Sequence, residues 1–225
     1  MKSDGATSGQ EDPTLAPADR QPHTLTDAEL LGLVLAGGRV VRTANRLARE
    51  LLGEWGGLAA LPGTSRAMLR HRGLSEAQAT ALLAACELAC RLARRRIPPR
   101  RPLSRPDLVA HFLALRYQLR DQEVMGALFL DRHHGLLGDT EIFRGTLHRV
   151  ALEPRQILRQ CLLRGAAGVV VFNTHPSGDP TPRLEDLAFT RRLAAAAALV
   201  GVDLVDHLVL GAGGHWVSLW ARGGW

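Results

Sequence analysis

The feature that most constrains the fold is a stretch in which an apolar run, a proline-rich loop and a helix follow one another. Residues 168–172 read Gly-Val-Val-Val-Phe and predict a buried strand. An Ala- and Leu-rich helix is predicted over residues 184–200. The loop between them holds three prolines, each of which fixes its own φ, and carries His175 towards Asp186 in the first helical turn. A stiff loop that brings a His and an Asp to nearby points predicts a metal or acid–base site.

The loop sequence over residues 173–186, Asn-Thr-His-Pro-Ser-Gly-Asp-Pro-Thr-Pro-Arg-Leu-Glu-Asp, resembles a known metal signature. The JAB/MPN (JAMM) metalloproteases have the signature His-x-His, seven residues and then Ser-x-x-Asp. The residues that lie between these positions here, Pro-Ser-Gly-Asp-Pro-Thr-Pro, are similar to those of the RadC branch. This resemblance implies a zinc-dependent metallopeptidase or isopeptidase. In that family the two His and the Asp bind zinc, the Ser supports the oxyanion, and a Glu on an earlier strand acts on the zinc-bound water.

Five positions of this chain correspond to the functional residues that the resemblance implies. His175 matches the second His, Asp186 matches the Asp, and Glu123, at the start of an apolar strand, matches the catalytic Glu. Asn173 stands where the first His belongs, and Arg183 stands where the Ser belongs. The resemblance covers almost all of the chain beyond an N-terminal tail. It makes zinc the expected cofactor, at a site that lacks one ligand.

The two departures lead us to predict a metal site that is weakened or lost. The amide oxygen of Asn173 is a poor zinc ligand beside an imidazole. An inward-pointing Arg183 would repel a divalent cation and would pair well with Asp186 or Glu123 if no metal were present. Candidates for a replacement ligand stand elsewhere in the sequence, and for two of them we favour a structural role. These candidates are Asp179, which we expect to cap the loop turn, His207, which we expect to be a satisfied structural histidine, and His215.

The sequence divides into four parts. Residues 1–22 are rich in Ser, Gly, Asp, Pro and Gln and are predicted to be a disordered tail. Residues 23–96 predict a small all-α domain, with capping-box spacings at Thr26 and Ser75. Residues 97–105 form an Arg- and Pro-rich linker. Residues 106–225 predict, in order, a helix, two strands, a helix, a strand, a helix and two strands. The fold class is therefore α/β: an MPN (JAB) α-β-α sandwich preceded by a helical domain.

Two features of the helical domain and the linker are compatible with nucleic-acid binding. The segment His-Arg-Gly-Leu-Ser-Glu-Ala-Gln over residues 71–78 resembles a helix-hairpin-helix, whose helix N-terminus holds DNA phosphates, but the second glycine of the turn is replaced by Ser75. Five arginines lie between Arg94 and Arg101, and phosphate contact is one interpretation of them. We favour plain helix packing for the first feature and a solvated, self-repelling linker for the second.

Net charge, the length of apolar runs and the cysteine content bear on the partner, the location and the redox state of the protein. The formal net charge of +6 permits a nucleic-acid or acidic partner without requiring one. No apolar run is long enough for a membrane span, and we expect a cytoplasmic protein without a membrane partner. The three cysteines predict reduced thiols, and Cys86 and Cys90 are expected to be small core residues. The adjacent His133 and His134 are predicted to lie exposed in a turn between strands.

The function hypotheses fall into three classes. The first is a hydrolase of the zinc metallopeptidase or isopeptidase type, which would act on a protein or peptide in the cleft beside the site loop. The second is a non-catalytic module that binds DNA, or a protein of DNA repair or recombination, through the helical domain and the linker arginines. The third is a protein-interaction scaffold. Of these, we expect hydrolysis to be weakened or lost in this chain.

Overall fold

A computed structural model describes residues 21–100, 102–117, 122–145 and 153–225. The predicted disordered tail lies almost wholly outside these residues, and so does Arg101 of the predicted linker. At the start of the described chain, Pro22–Thr24 form a short 3-10 turn.

Four helices make up the helical region, which we define as residues 22–97. They are α1 (Asp27–Leu35), α2 (Arg42–Trp55), α3 (Arg66–His71) and α4 (Glu76–Arg96). Both predicted capping boxes are present. Thr26 and Ser75 each accept a hydrogen bond from the backbone N–H three residues on, and the side chain at that position bonds back to the cap. The three arginines at residues 94–96 form the last turn of α4, which ends at the predicted boundary of the helical domain.

The helical region encloses its own apolar core. Its buried side chains come from all four helices and from the turn between α3 and α4, and they include Leu31, Leu51, Trp55, Leu69, Leu74 and Leu82. Leu74, in the turn that resembles a helix-hairpin-helix, is only 1% exposed. The residue that follows Gly73 therefore packs into the core, as the packing interpretation of this turn predicts. Cys90 is buried and Cys86 packs against this core, so both behave as the small core residues that we expected.

The sheet domain is defined here as residues 102–225, and its described residues form three α-helices and five strands. They are α5 (Pro106–Tyr117), β1 (Glu123–Leu130), β2 (Leu136–Gly145), α6 (Pro154–Arg164), β3 (Gly168–Thr174), α7 (Leu184–Leu199), β4 (Asp203–Leu210) and β5 (Trp216–Ser218). The strand order in the sheet is β2-β1-β3-β4-β5. Only β3 and β4 run parallel, and α7 is the crossover between them.

Helices cover both faces of the sheet, which confirms the predicted α-β-α sandwich. On one face α5 packs through residues such as Phe112 and Leu113, and on the other face α6 and α7 pack through residues such as Ile157 and Leu193. Successive residues of β3 alternate between the two cores, with Val170 and Phe172 on the α5 side. Because both faces are buried, the strand reads as an unbroken apolar run rather than as an alternating one.

A charged contact joins the helical region to the sheet domain. The carboxylate of Asp139 on β2 is enclosed, and it forms ion pairs with Arg94 at the end of α4 and with Arg116 on α5. The hydroxyl of Tyr117 also donates to it, and burial, with this bond to Asp139, raises the pKa of Tyr117 to about 12. Arg94 is therefore occupied in a structural contact. Within the described chain, we find no helix that is long and apolar enough to span a membrane.

Candidate functional site

The end of β3 and the start of β1 bring the candidate residues together. The antiparallel pairing places Met125 of β1 opposite Asn173 of β3. The hydroxyl of Thr174 accepts a hydrogen bond from the backbone N–H of Val124 at 2.9 Å, which fixes the start of β1 beside the last residue of β3. Glu123 therefore faces the start of the site loop, although fifty residues of sequence separate it from Asn173.

The site loop, residues 175–183, is held by hydrogen bonds at its first residue and in its turn. The N–H of His175 donates to the carbonyl of Leu210 at 2.8 Å, which ties the loop to the end of β4. The carboxylate of Asp179 accepts from both the N–H and the hydroxyl of Thr181, at 2.9 and 2.7 Å. Asp179 thus caps the turn, as we predicted. Gly178 adopts φ +86°, a left-handed conformation that a β-carbon would strain.

Three buried side chains form what we call the acid–histidine cluster: Glu123, His175 and Asp186. One ligand-type atom from each lies within 4.8 Å of those of the other two. His175 Nε2 is 3.3 Å from Asp186 Oδ2 and 3.8 Å from Glu123 Oε1. All three residues are at most 5% exposed. Their residue types and spacing are those of a candidate cation site.

The two ring nitrogens of His175 differ in their hydrogen bonding. Nδ1 lies 2.9 Å from the backbone carbonyl of Asp179, and since a carbonyl only accepts, Nδ1 carries a hydrogen. Nε2 is buried and has no hydrogen-bond partner among the described residues. In the neutral ring this nitrogen carries a lone pair and lies 3.3 to 3.8 Å from two carboxylates. Such an arrangement favours either a proton or a metal ion at Nε2.

Asn173 occupies the centre of the site. As placed, its amide nitrogen donates to Asp186 Oδ1 at 3.0 Å and to Glu123 Oε1 at 3.3 Å. The side chain is completely buried. The space between the two carboxylates is therefore bridged by amide hydrogens.

Arg183 is the N-cap of α7 and lies at the mouth of the site. Its backbone N–H donates to Asp186 Oδ2 at 2.7 Å, which places the carboxylate at the positive end of the helix. Its guanidinium lies 3.5 Å from Glu123 Oε2, and its side chain is 41% exposed. Of the two partners that the sequence suggested for Arg183, the guanidinium pairs with Glu123, and Asp186 receives the backbone N–H instead.

A buried row of hydrogen bonds stands behind Asn173, and sequence reasoning did not find it. His207 Nε2 lies 2.9 Å from Asn173 Oδ1, and His207 Nδ1 lies 2.6 Å from the hydroxyl oxygen of Thr190. That hydroxyl also lies 2.5 Å from the backbone carbonyl of Asp186. We call these groups the buried row. The available signal was the pair Asp206-His207 in the middle of an apolar strand, because polar residues there need partners.

Asp206 and His207 are adjacent on β4, and their side chains lie on opposite faces of the sheet. The carboxylate of Asp206 accepts from the N–H groups of His207 and Trp220 and from the hydroxyl of Ser218. It therefore helps to hold β5 and the segment after it, while the ring of His207 points into the site. His207 is a satisfied structural histidine, as we predicted.

Burial and neighbouring charges shift the pKa values in the site. Burial raises the pKa of the Glu123 carboxyl above its usual range. Burial opposes ionisation of Asp186 too, but its contact with His175 and the N–H of Arg183 outweigh this and lower its pKa. Burial likewise opposes charging of His175, and the contacts with Asp186 and Asp179 leave its pKa raised. Complete burial lowers the pKa of His207 to about 4, so this ring is neutral at pH 7.

The other histidines considered from the sequence lie outside the site. His133 and His134 are exposed in the turn after β1, as predicted, where the carboxylate of Asp131 caps the turn by accepting from two backbone N–H groups. His215 is exposed just before β5. Among the replacement ligands that we considered, only His207 reaches the site, and it contacts Asn173 rather than the acid–histidine cluster.

Comparison with known proteins agrees with the fold and with the resemblance drawn from the site loop. Residues 103–225 match the family described as "RadC-like JAB domain". A protein of Halorhodospira halophila described as a UPF0758 protein is 40% identical over 205 residues, which is 91% of each chain. A UPF0758 protein of Xanthomonas campestris pv. campestris is 41% identical over 200 residues, or 88% of each chain, and one of Alcanivorax borkumensis is 40% identical over 205 residues, or 91% of each chain. These similarities extend over the helical region as well.

Proposed function

We propose a function from the premise that this chain belongs to the family of RadC-like JAB domain proteins. We infer that it acts by binding, with nucleic acid as the partner, and that it does not act as a zinc hydrolase. The observation that carries the loss of hydrolysis is the position of Asn173, whose amide nitrogen donates to both carboxylates of the site. The region that supports nucleic-acid binding is the helical one.

The side chains of the site do not fit the zinc centre that the family resemblance implies. A catalytic zinc takes three protein ligands and keeps one open position. Here His175 offers one imidazole nitrogen, and the position of the second imidazole is taken by an amide that presents hydrogens to the centre. The guanidinium of Arg183 adds a positive charge 3.5 Å from Glu123. Zinc affinity should therefore be low, and we derive no hydrolytic step at this site.

The helical region and the linker that follows it carry most of the net positive charge of the protein. Residues 21–101 contain thirteen arginines and six acidic residues, whereas residues 102–225 contain thirteen arginines and twelve acidic residues. Such a separation favours an anionic partner on the helical side of the molecule. A polyanion such as the phosphate backbone of nucleic acid fits this charge.

A row of arginines on α2 is the best-defined part of this basic surface. Arg42, Arg46 and Arg49 are exposed and are spaced four and three residues apart, so they share one face of the helix. Arg46 has a loose ion pair with Glu50 at 3.8 Å, and both side chains are largely exposed. Exposed pairs of this kind contribute little, so the guanidinium groups remain available for phosphate contacts. We define these three residues as the α2 arginine row.

The nucleic-acid proposal is tested by salt-dependent binding of the full chain to a DNA duplex and to a single strand. Log K falls as log salt concentration rises, and replacing the α2 arginine row by glutamine should reduce the magnitude of this slope by about 2 to 3. The reason is that each phosphate contact releases about one counterion on binding, and the variant makes fewer contacts. The matched control replaces Arg155, Arg159 and Arg191, which are exposed arginines of the sheet domain. No binding at 50 mM salt, or an equal loss in the control, would contradict the proposal.

The loss of the zinc site is tested by elemental analysis of purified protein. We expect well under one zinc per chain in the native protein and about one in the double variant Asn173→His, Arg183→Ser, because this variant restores the second imidazole and removes the fixed cation. The two single variants show which substitution matters more. About one zinc per native chain would overturn the proposal.

A second candidate function is metal-dependent hydrolysis, and one observation favours it. The unpartnered Nε2 of His175 lies between two carboxylates, as a metal ligand would. Zinc in the native protein together with cleavage of a peptide or isopeptide substrate would establish this function. Cleavage should then vanish in Glu123→Gln. A protein partner in the cleft beside the site loop, and location in the cytoplasm, remain predictions from the sequence.

A further inference from the structure

A groove on the α5 side of the sheet lies apart from the candidate site. It has a volume of about 940 Å³ and follows β5, the edge strand that Trp216 begins. On β4 the side chain of Asp206 lines this groove, whereas the ring of its neighbour His207 contacts Asn173 in the candidate site. The groove can therefore hold a ligand without involving the acid–histidine cluster. We call it the tryptophan groove, and its lining includes Leu103, Pro106, Val205, Trp216, Trp220 and Arg222.

Three of the four tryptophans of the chain belong to this part of the molecule: Trp216, Trp220 and Trp225. The first two line the groove, and the ring of Trp225 lies beside that of Trp220 with the centroids 5.6 Å apart. Trp220 is 64% exposed, although a side chain of this size is usually well buried. The tryptophan groove therefore presents a flat aromatic surface to solvent.

The backbone that carries Trp220 is held in place. The N–H of Trp220 donates to the Asp206 carboxylate at 3.2 Å, and its carbonyl accepts from the N–H of Gly223 at 3.1 Å. The preceding Leu219 is 1% exposed, and its carbonyl accepts from the N–H of Gly224 at 3.0 Å. An exposed ring on a fixed backbone loses little conformational freedom when a ligand stacks on it, so the ring is preorganised for binding.

The tryptophan groove adjoins a basic pocket, and His134 lines both. The basic pocket lies at the turn between β1 and β2, where the backbone of Arg100 pairs with that of Gly135. Among the described residues, no carboxylate pairs with any of the three arginines that line these two surfaces. The exposed basic side chains of the two surfaces are Arg100, Arg132, His133, His134 and Arg222.

The two carboxylates among the described lining residues are already hydrogen-bonded within the protein. Asp206 accepts from two backbone N–H groups and from the hydroxyl of Ser218. Asp131 accepts from two backbone N–H groups of the β1–β2 turn, each at 2.7 Å. The unpaired charges of the lining are therefore those of its arginines, which favours a ligand that combines anionic groups with flat rings.

From this pairing of an aromatic groove with a basic pocket, we propose that the surface binds single-stranded nucleic acid. A base stacks on Trp220, and the neighbouring phosphates contact Arg132 and Arg222. Proteins that bind single strands combine aromatic rings with a basic groove in this way, because every unpaired base has a π-face. A duplex keeps its bases stacked on one another and does not match the tryptophans. The ligand class is that of the proposed function, but the inference rests on a different surface from the α2 arginine row.

The test is binding of the full chain to a labelled oligothymidylate of about 12 nucleotides, measured by fluorescence anisotropy at about 50 mM salt. Trp220→Ala should weaken binding at least about fivefold, because a stacked base contributes this much or more. Trp220→Phe keeps an aromatic face and should recover most of the affinity. Trp220→Leu keeps apolar bulk without a π-face and should bind as weakly as the alanine variant. An apolar peptide would tolerate leucine, so native-like binding by Trp220→Leu would overturn the inference.

The basic part of the surface is tested by the salt dependence of the same binding. Arg132→Gln and Arg222→Gln should each reduce the magnitude of the slope of log K against log salt by about 0.7, the value for one phosphate contact of a single strand. The matched control is Arg155→Gln, an exposed arginine of α6, which should leave the slope unchanged. Slopes that are equal in all three variants would contradict the phosphate contacts.

A crosslinking readout on the native protein guards against variants that fail to fold. A thymidylate strand with one 5-iodouracil should crosslink on irradiation to Trp220 or Trp216, as identified by mass spectrometry of the peptides. No binding of the strand, crosslinks only outside the tryptophan groove, or native affinity in Trp220→Ala would overturn the inference. Duplex binding that depends on the α2 arginine row would still support the proposed function in that case. Stacking on Trp220 without any effect of the α2 arginine row would instead contradict only the surface named there.

Discussion

The ion pairs of the helical region and the carboxylates of the candidate site in the sheet domain lie in opposite environments. In the helical region the ion pairs Arg66–Glu76 and Arg72–Glu54 join side chains that are 41–63% exposed. In the sheet domain the carboxylates of Glu123 and Asp186 are enclosed and bonded to polar groups that are themselves mostly buried. One region displays charge on its surface, and the other builds charge into its interior. In the first arrangement water can replace a lost partner, and in the second it cannot.

The same contrast determines how much free energy of unfolding is lost when one partner of a charged contact is removed. An exposed ion pair contributes about 0 to 1 kcal/mol, because water solvates either partner when the other is removed. Removing one partner of a buried charged network costs about 3 to 5 kcal/mol, because the groups left behind have neither a partner nor water. Removing a buried charged group of the sheet domain should therefore lower the free energy of unfolding several-fold more than removing an exposed one of the helical region.

Asp186→Ala should give the largest effect. It removes the acceptor for the Arg183 N–H and for the Asn173 amide, and it leaves His175 beside Glu123 alone. We expect a loss of about 3 to 5 kcal/mol in the free energy of unfolding. The measurement is equilibrium unfolding in urea at pH 7.

The control for this prediction is Glu54→Ala, which removes the partner of Arg72 in the helical region. We expect a loss below about 1 kcal/mol. Equal losses in the two variants would show that burial does not separate the regions in the way described above.

Asp139→Ala should give an intermediate effect, because Asp139 lies between the two regions. The carboxylate is enclosed, but its partners Arg94 and Arg116 are 40 and 43% exposed and regain water when it is removed. We expect a loss of about 1 to 3 kcal/mol. Hydrogen exchange should become faster in the last turn of α4 and in β2, and remain unchanged in α1 and α2. Uniformly faster exchange would mean that the contact supports the whole fold rather than the junction.

Ser75→Ala should give the smallest effect of the three. Ser75 caps α4 through the N–H of Gln78 at 3.2 Å, and the loss of a cap costs about 1 kcal/mol. Ser75→Gly should cost only a few tenths of a kcal/mol, since glycine is tolerated at an N-cap. The comparison uses chemical unfolding of both variants with the native chain, and a larger loss in the glycine variant would argue against the capping role.

The two regions also differed in how far the sequence predicted them. The helical elements follow from local signals, because a cap such as Thr26 and its partner Glu29 are neighbours in sequence. The strands of the sheet domain follow from apolar runs, and the family resemblance supplied their arrangement. The same resemblance pointed to Glu123, His175 and Asp186, which the structure does bring together.

The buried row could not be read from the sequence, for a physical reason. Thr190 lies on α7 and His207 on β4, and they meet only because α7 crosses over between two parallel strands. Which end of an amide faces a histidine depends on all the donors and acceptors around it. No local pattern of residues carries that information.

The parallel pairing of β3 with β4 has a consequence for the order of folding. The polar groups of the site are spread in sequence from Glu123 to His207, so the cost of closing long loops precedes any gain from the bonds between them. The helical region encloses its own apolar core and precedes the sheet domain during synthesis. We therefore expect the basic helices to be formed on the nascent chain while the carboxylates of the sheet domain are still hydrated.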